Sequence, residues 1–193
     1  TQCSAMVPIL SAEWGLSRVD YVPVGIDTDF YAEQPWDLAG RLVVSAGEDR
    51  FRDHALLVDA VHRVRGQLPD LRLELATALP VSIDPEHDTV HTERMGGRMR
   101  DLYGRSSVVA IALRPTPTGS GLTVVLEAMA SGRALVVTDN PGISDYVVHG
   151  ETGLLVPPND PEAFAGALRA LLLDPARARA MGAAAAQVAR RDF

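Results

Sequence analysis

The chain has 193 residues, 47% of them hydrophobic, enough to bury one core; a net charge of -7 and a pI near 5.2 exclude the basic face that a nucleic-acid backbone requires. All 18 Lys and Arg side chains are arginine, which excludes a P-loop nucleotidase and a pyridoxal-phosphate Schiff base within this chain. No run approaches the roughly 18 uninterrupted apolar residues of a membrane span and no secretory pattern opens the chain, so a soluble cytoplasmic protein without a transmembrane segment is expected.

Thr1 to Asp20 shows no strand pattern, and its one cysteine, Cys3, can form neither an internal disulfide nor a multi-cysteine metal site; it is expected to be chemically idle. From there short apolar runs alternate with helical periodicity, the mark of βα units around a parallel sheet. The runs predict strands at Leu42 to Ser45, Leu71 to Ala76, Val90 to Thr92, Val108 to Ala112, Ala134 to Thr138 and Leu154 to Val156. Helical spacing of Leu56, Leu57, Ala60, Val61 and Val64 predicts a helix after the first strand, and Met99, Leu102 and Tyr103 predict another after the third. Asp160 before Pro161 and Asp174 before Pro175 each read as an N-cap followed by proline at the first helical position, predicting helices to about Leu173 and about Arg190. The fold class is α/β, a Rossmann-like doubly wound parallel sheet, which binds ligands beyond the carboxyl ends of its strands. The loops after Ser45, Ala112 and Thr138 are therefore the candidate sites.

The loop after Ala112 leads into Ser120 to Gly132, Ser-Gly-Leu-Thr-Val-Val-Leu-Glu-Ala-Met-Ala-Ser-Gly, which sets one carboxylate, Glu127, in an apolar helix that begins on a glycine turn. Such a turn offers unpaired amides and a positive dipole end to phosphate, and a carboxylate about one turn further accepts from sugar hydroxyls; a solvated helix residue is the competing reading of Glu127. The glycines of Thr118-Gly119-Ser120-Gly121-Leu122-Thr123 permit close backbone approach, with the amides near Leu122 and Thr123 as candidate phosphate donors, or else form a structural turn. After the first strand, Ser45-Ala46-Gly47-Glu48-Asp49-Arg50-Phe51-Arg52 brings two arginines to a helix start, as phosphate ligands or as a solvated pair. His87 and His91 lack metal-site spacing, and Pro85 places them in a loop with solvated side chains; no metal is expected.

Together with Asp139 to Pro161, which includes Asn-Pro-Gly-Ile-Ser-Asp and His-Gly-Glu-Thr-Gly-Leu-Leu-Val-Pro, these stretches resemble the donor-binding domain of GT-B retaining glycosyltransferases of family four, the glycogen-synthase-like and mannosyltransferase-like enzymes. The resemblance covers roughly Tyr21 to the end and implies one half of a GT-B enzyme. Tyr21 to Phe30 resembles the crossing between the two halves, Thr1 to Asp20 reads as a linker or remnant of the other half, and residues 21–193 form the donor domain.

The resemblance further implies a nucleoside-diphosphate sugar as substrate, an acceptor domain elsewhere in the same enzyme, no metal, and no turnover by this half alone. Residue by residue, Arg52 matches the family's phosphate-gripping lysine, while the preceding arginine position holds Glu48, leaving Arg50 to reach round. Glu127 matches the second of two glutamates separated by seven residues and is implied to orient the ribose; the first falls on Gly119, which leaves the sugar side unassigned. Gly47 and the pair Arg94 and Met95 fall where the family borders phosphate and nucleobase, although a plain surface loop fits Arg94 and Met95 equally. Asp145 stands at the position of a further family glutamate. The departures at Gly119 and Glu48 keep two alternatives open: a non-catalytic nucleotide-binding module, and an epimerase- or phosphorylase-like enzyme of the same architecture.

Overall fold

A computed structural model of the chain describes residues 1–36 and 40–193. Among these residues six strands, β1 (Leu42–Ala46), β2 (Arg72–Ala76), β3 (Asp88–His91), β4 (Val108–Ile111), β5 (Leu135–Thr138) and β6 (Leu154–Val156), pair in parallel, in the order β3-β2-β1-β4-β5-β6. This is the doubly wound sheet expected. β1, β4 and β5 are buried at every residue because helices cover both faces.

Among the described residues six α-helices accompany them: α1 (Met6–Glu13), α2 (His54–Arg65), α3 (Arg98–Arg105), α4 (Leu122–Ala130), α5 (Pro161–Leu172) and α6 (Pro175–Asp192). Side chains alternate along each strand, so Val43, Val108, Ala110 and Val136 meet α2 and α5 on one face. Val44, Val109, Ile111 and Val137 meet α3 and α4 on the other. The last helix serves both faces, giving Ala178 and Met181 to the first core and Ala185 and Ala189 to the second.

Both predicted caps form. Asp160 accepts from Ala163 N at 2.8 Å and Asp174 from Arg177 N at 3.0 Å, and Asp53 caps α2 in the same way through Leu56 N. Replacing Asp160 with alanine is expected to cost about 1 kcal/mol of stability, read from urea denaturation, because one amide at the start of α5 loses its acceptor.

Two expectations need correction. β3 begins at Asp88 rather than Val90, because the Asp88 carboxylate is buried and held by the guanidinium of Arg65. This strand ends on His91, whose Nε2 lies 2.8 Å from Glu74 Oε2, so His91 is a half-buried pairing residue and not a solvated loop side chain. At the amino end, where no element was predicted, α1 forms with none of its residues buried. Among the described residues no helix is long and apolar enough to cross a membrane.

Candidate functional site

β1 and β4 lie side by side, yet the chain leaves β1 towards α2 on one face and β4 towards α4 on the other. A crevice opens where neighbouring strands diverge in this way. The loop after β1 is fastened across it: Arg52 makes an isolated antiparallel bridge with Leu113, Asp53 N donates to Ala112 O at 2.9 Å, and Arg114 N donates to Phe51 O at 2.8 Å. These bonds aim Arg52 inward.

The Arg52 side chain is only 5% exposed. A Cβ on Gly47, whose φ is +130°, would fall 2.1 Å from Arg52 Nε, and one on Gly121 would lie 3.4 Å from Nη1. The guanidinium thus fills the space that a side chain at Gly47 would need and reaches the start of α4. Burial pushes its pKa down, opposed chiefly by Asp49, whose Oδ2 lies 2.9 Å from Nε without the alignment of a hydrogen bond. Nε and Nη1 have no hydrogen-bond partner, which is costly for a buried cation unless a ligand supplies one.

Gly121, in the left-handed conformation at φ +86°, caps α4 without a side-chain bond to the first amides. A cavity of about 530 Å³ lies against this end, lined by Arg52, Gly119, Ser120, Gly121, Leu122 and Thr123 among others. The Leu122 amide has only a 3.5 Å contact with Gly119 O. Ser120 Oγ donates to Asp49 Oδ1 at 2.7 Å. A Cβ on Gly119 would lie 2.6 Å from Leu122 Cδ1, so in this packing the Leu122 side chain takes the room that a glutamate there would claim.

Deeper on α4, Glu127 is not isolated. Tyr31 Oη donates to Oε1 at 2.9 Å and Tyr103 Oη to Oε2 at 2.7 Å. Burial first, and the Glu127 charge second, push both phenol pKa values up, so the hydroxyls remain donors. Each carboxylate oxygen keeps a further lone pair for a hydroxyl from outside. Sequence periodicity reads Tyr103 only as a core residue, and nothing local marks Tyr31.

A second cavity, about 350 Å³, is lined by Gly47, Glu48, Glu93, Arg94, Met95 and Gly96 among others. Arg94 and Met95 therefore share a cavity with Gly47, which is itself in contact with Arg52. Arg50 does not join them; it is exposed and lies over the ring of its neighbour Phe51, 4.7 Å from the centroid. Asp145 accepts from Ser4 N at 2.7 Å and Ser4 Oγ at 2.6 Å, tying down the amino-terminal segment. Cys3 is buried, with Sγ 3.4 Å from the carbonyl oxygens of Pro117 and Pro141. A residue without a sequence signal is His54: burial pushes its pKa down, and the neutral ring presents Nε2–H to Gly47 O at 3.2 Å, steadying the glycine beneath Arg52.

Residues 40–174 match the protein family described as Glycosyl transferases group 1. The chain is 31% identical over 205 residues to the D-inositol 3-phosphate glycosyltransferase of Kribbella flavida, a match covering 90% of this chain and 47% of that protein. It therefore spans less than half the length of that relative. Sucrose-phosphate synthase from Thermosynechococcus elongatus superimposes with a TM-score of 0.77 at 21% identity, over 97% of this chain and 52% of that one. The Anabaena protein Alr3699/HepE, solved in complex with UDP and glucose, superimposes with a TM-score of 0.74 at 20% identity, over 90% of this chain and 52% of that one. These two structures share the fold.

Proposed function

As the chain belongs to the group 1 glycosyl transferases, we propose that it is the donor-binding half of a retaining GT-B enzyme that moves a hexosyl group from a nucleoside-diphosphate sugar to an acceptor. Residues 21–193 form the donor domain, and Thr1 to Asp20 are a linker or a remnant of the acceptor half. The observation that carries this reading is the Arg52 guanidinium, buried at the carboxyl end of the sheet with two nitrogens free of hydrogen bonds, and beside it the start of α4, whose first amides receive no side-chain cap.

In the transfer, the bond between the anomeric carbon and the diphosphate oxygen breaks and the electron pair leaves on the diphosphate. Arg52 and the amides of Leu122 and Thr123 stabilise that charge from fixed positions, so little reorganisation is needed as it develops. Glu127, held by Tyr31 and Tyr103, accepts from the ribose 2′ and 3′ hydroxyls. The base lies in the cavity of Gly47, Arg94 and Met95. With Leu122 packed against Gly119, backbone and acceptor-half groups take the sugar contacts.

Titration calorimetry with UDP, GDP and ADP tests the reading. One of the three is expected to bind below millimolar concentration. Glu127→Gln should weaken that nucleotide about tenfold and leave inorganic pyrophosphate unchanged, since a hydrogen bond to a charged group is worth roughly 1.5–3 kcal/mol. Failure of all three to bind at millimolar concentration overturns the donor-site assignment.

A further inference from the structure

We propose that Asp49 is a built-in stand-in for the donor's phosphate, occupying the phosphate's ligands while the site is empty and competing with the incoming diphosphate. The proposal rests on the donor-site reading above and concerns how that site is kept when no donor is present.

Asp49 lies in the loop that the bridge between Arg52 and Leu113 pulls across the crevice. Its Oδ1 accepts from Phe51 N at 3.0 Å, a local turn that holds the carboxylate over the loop, and also from Ser120 Oγ. Its Oδ2 faces Arg52 Nε. One carboxylate thus meets, at once, the buried cation and the hydroxyl at the start of α4. Those are the groups that a diphosphate requires, and Asp49 lines the same cavity as they do.

Two anions cannot both keep these partners. The side chain of Arg52 is 5% exposed and wedged between Gly47 and Gly121, so it cannot turn away; that of Asp49 is 40% exposed and can swing into water. In the empty site Asp49 offsets the charge of a guanidinium that has lost its hydration, a service that matters because an uncompensated buried charge is strongly destabilising. In the loaded site phosphate takes over that service, and the interaction given up by Asp49 is subtracted from the binding free energy. Binding is weakened by the factor that the empty state gains.

The test compares the 193-residue chain with Asp49→Asn, and with Asp49→Ser, which retains a hydroxyl acceptor for the Phe51 amide. Calorimetry uses inorganic pyrophosphate, UDP, GDP and ADP, and the corresponding nucleosides. Both variants are expected to bind pyrophosphate and the preferred nucleoside diphosphate roughly two- to fivefold tighter, as for a partly exposed ion pair. Nucleoside affinity should not change. Without ligand both variants should melt below the parent chain, and pyrophosphate should close the gap. If the parent binds pyrophosphate and the folded variants bind it equally or more weakly, Asp49 is a positioning residue and the proposal falls while the donor site stands. If the parent binds neither pyrophosphate nor any of the nucleotides, both readings fall together.

Discussion

Arg52→Ala is expected to lower the affinity for a nucleoside diphosphate about 100-fold, because two charge-assisted hydrogen bonds to phosphate are lost and each factor of ten corresponds to about 1.4 kcal/mol. Titration calorimetry reads the loss, with the parent nucleoside as control; its affinity should hold, since the proposed ribose and base contacts are Glu127 and the Arg94 and Met95 cavity. Arg52→Lys should recover a large part of the affinity: an ammonium restores the charge but not the planar fork. Stability separates this role from a structural one. Arg52 forms no hydrogen bond through Nε or Nη1 and faces a single counter-ion, so its removal relieves a desolvated cation and should leave the melting temperature within a few degrees. A large fall in stability together with unchanged diphosphate affinity would show that Arg52 serves the fold instead.

The central strands were legible because a run such as Val-Val-Ala-Ile has no polar face and fits only a sheet covered on both sides. The start of β3 was not. Asp88 reads as a strand-breaking residue until its carboxylate meets Arg65, which is 23 residues away in sequence. The same limit applies at the site. Arg52 and Arg50 are alike in sequence, and only the bridge to Leu113 decides that one points inward while the other rests on Phe51. Glu127 announced itself as a carboxylate in an apolar helix, but its two tyrosines lie 96 and 24 residues away and leave no periodic trace near it. Spacing pointed to candidate groups; long-range packing chose the residues that hold them in place.

The second buried arginine illustrates the opposite case. Arg133 follows the Ser131-Gly132 turn after α4 and is 0% exposed. Its Nε donates to Tyr103 O at 3.0 Å, and its Nη2 donates to Gly104 O at 2.6 Å and Pro35 O at 2.7 Å. The guanidinium also lies 4.8 Å from the centroid of the Trp36 ring. Burial pushes its pKa down to about 10, which still leaves it charged at neutral pH. A cation at the end of α3 satisfies the Gly104 carbonyl that the helix leaves open and suits the negative end of its dipole. Arg133→Ala removes all three bonds; Tyr103 O keeps its bonds from Ser106, but the Gly104 and Pro35 carbonyls lose this donor, so a loss of roughly 2–4 kcal/mol is expected in urea denaturation. Arg133→Lys should recover only part, because one ammonium on a flexible stem cannot reproduce the fork. The consequence reaches the site through Tyr103, which is fixed at that helix end and donates to Glu127. If Arg133→Lys folds, its affinity for the nucleoside diphosphate should fall severalfold while pyrophosphate affinity is unchanged. Equal weakening of both ligands would mean that the end of α3 does not support the ribose side specifically.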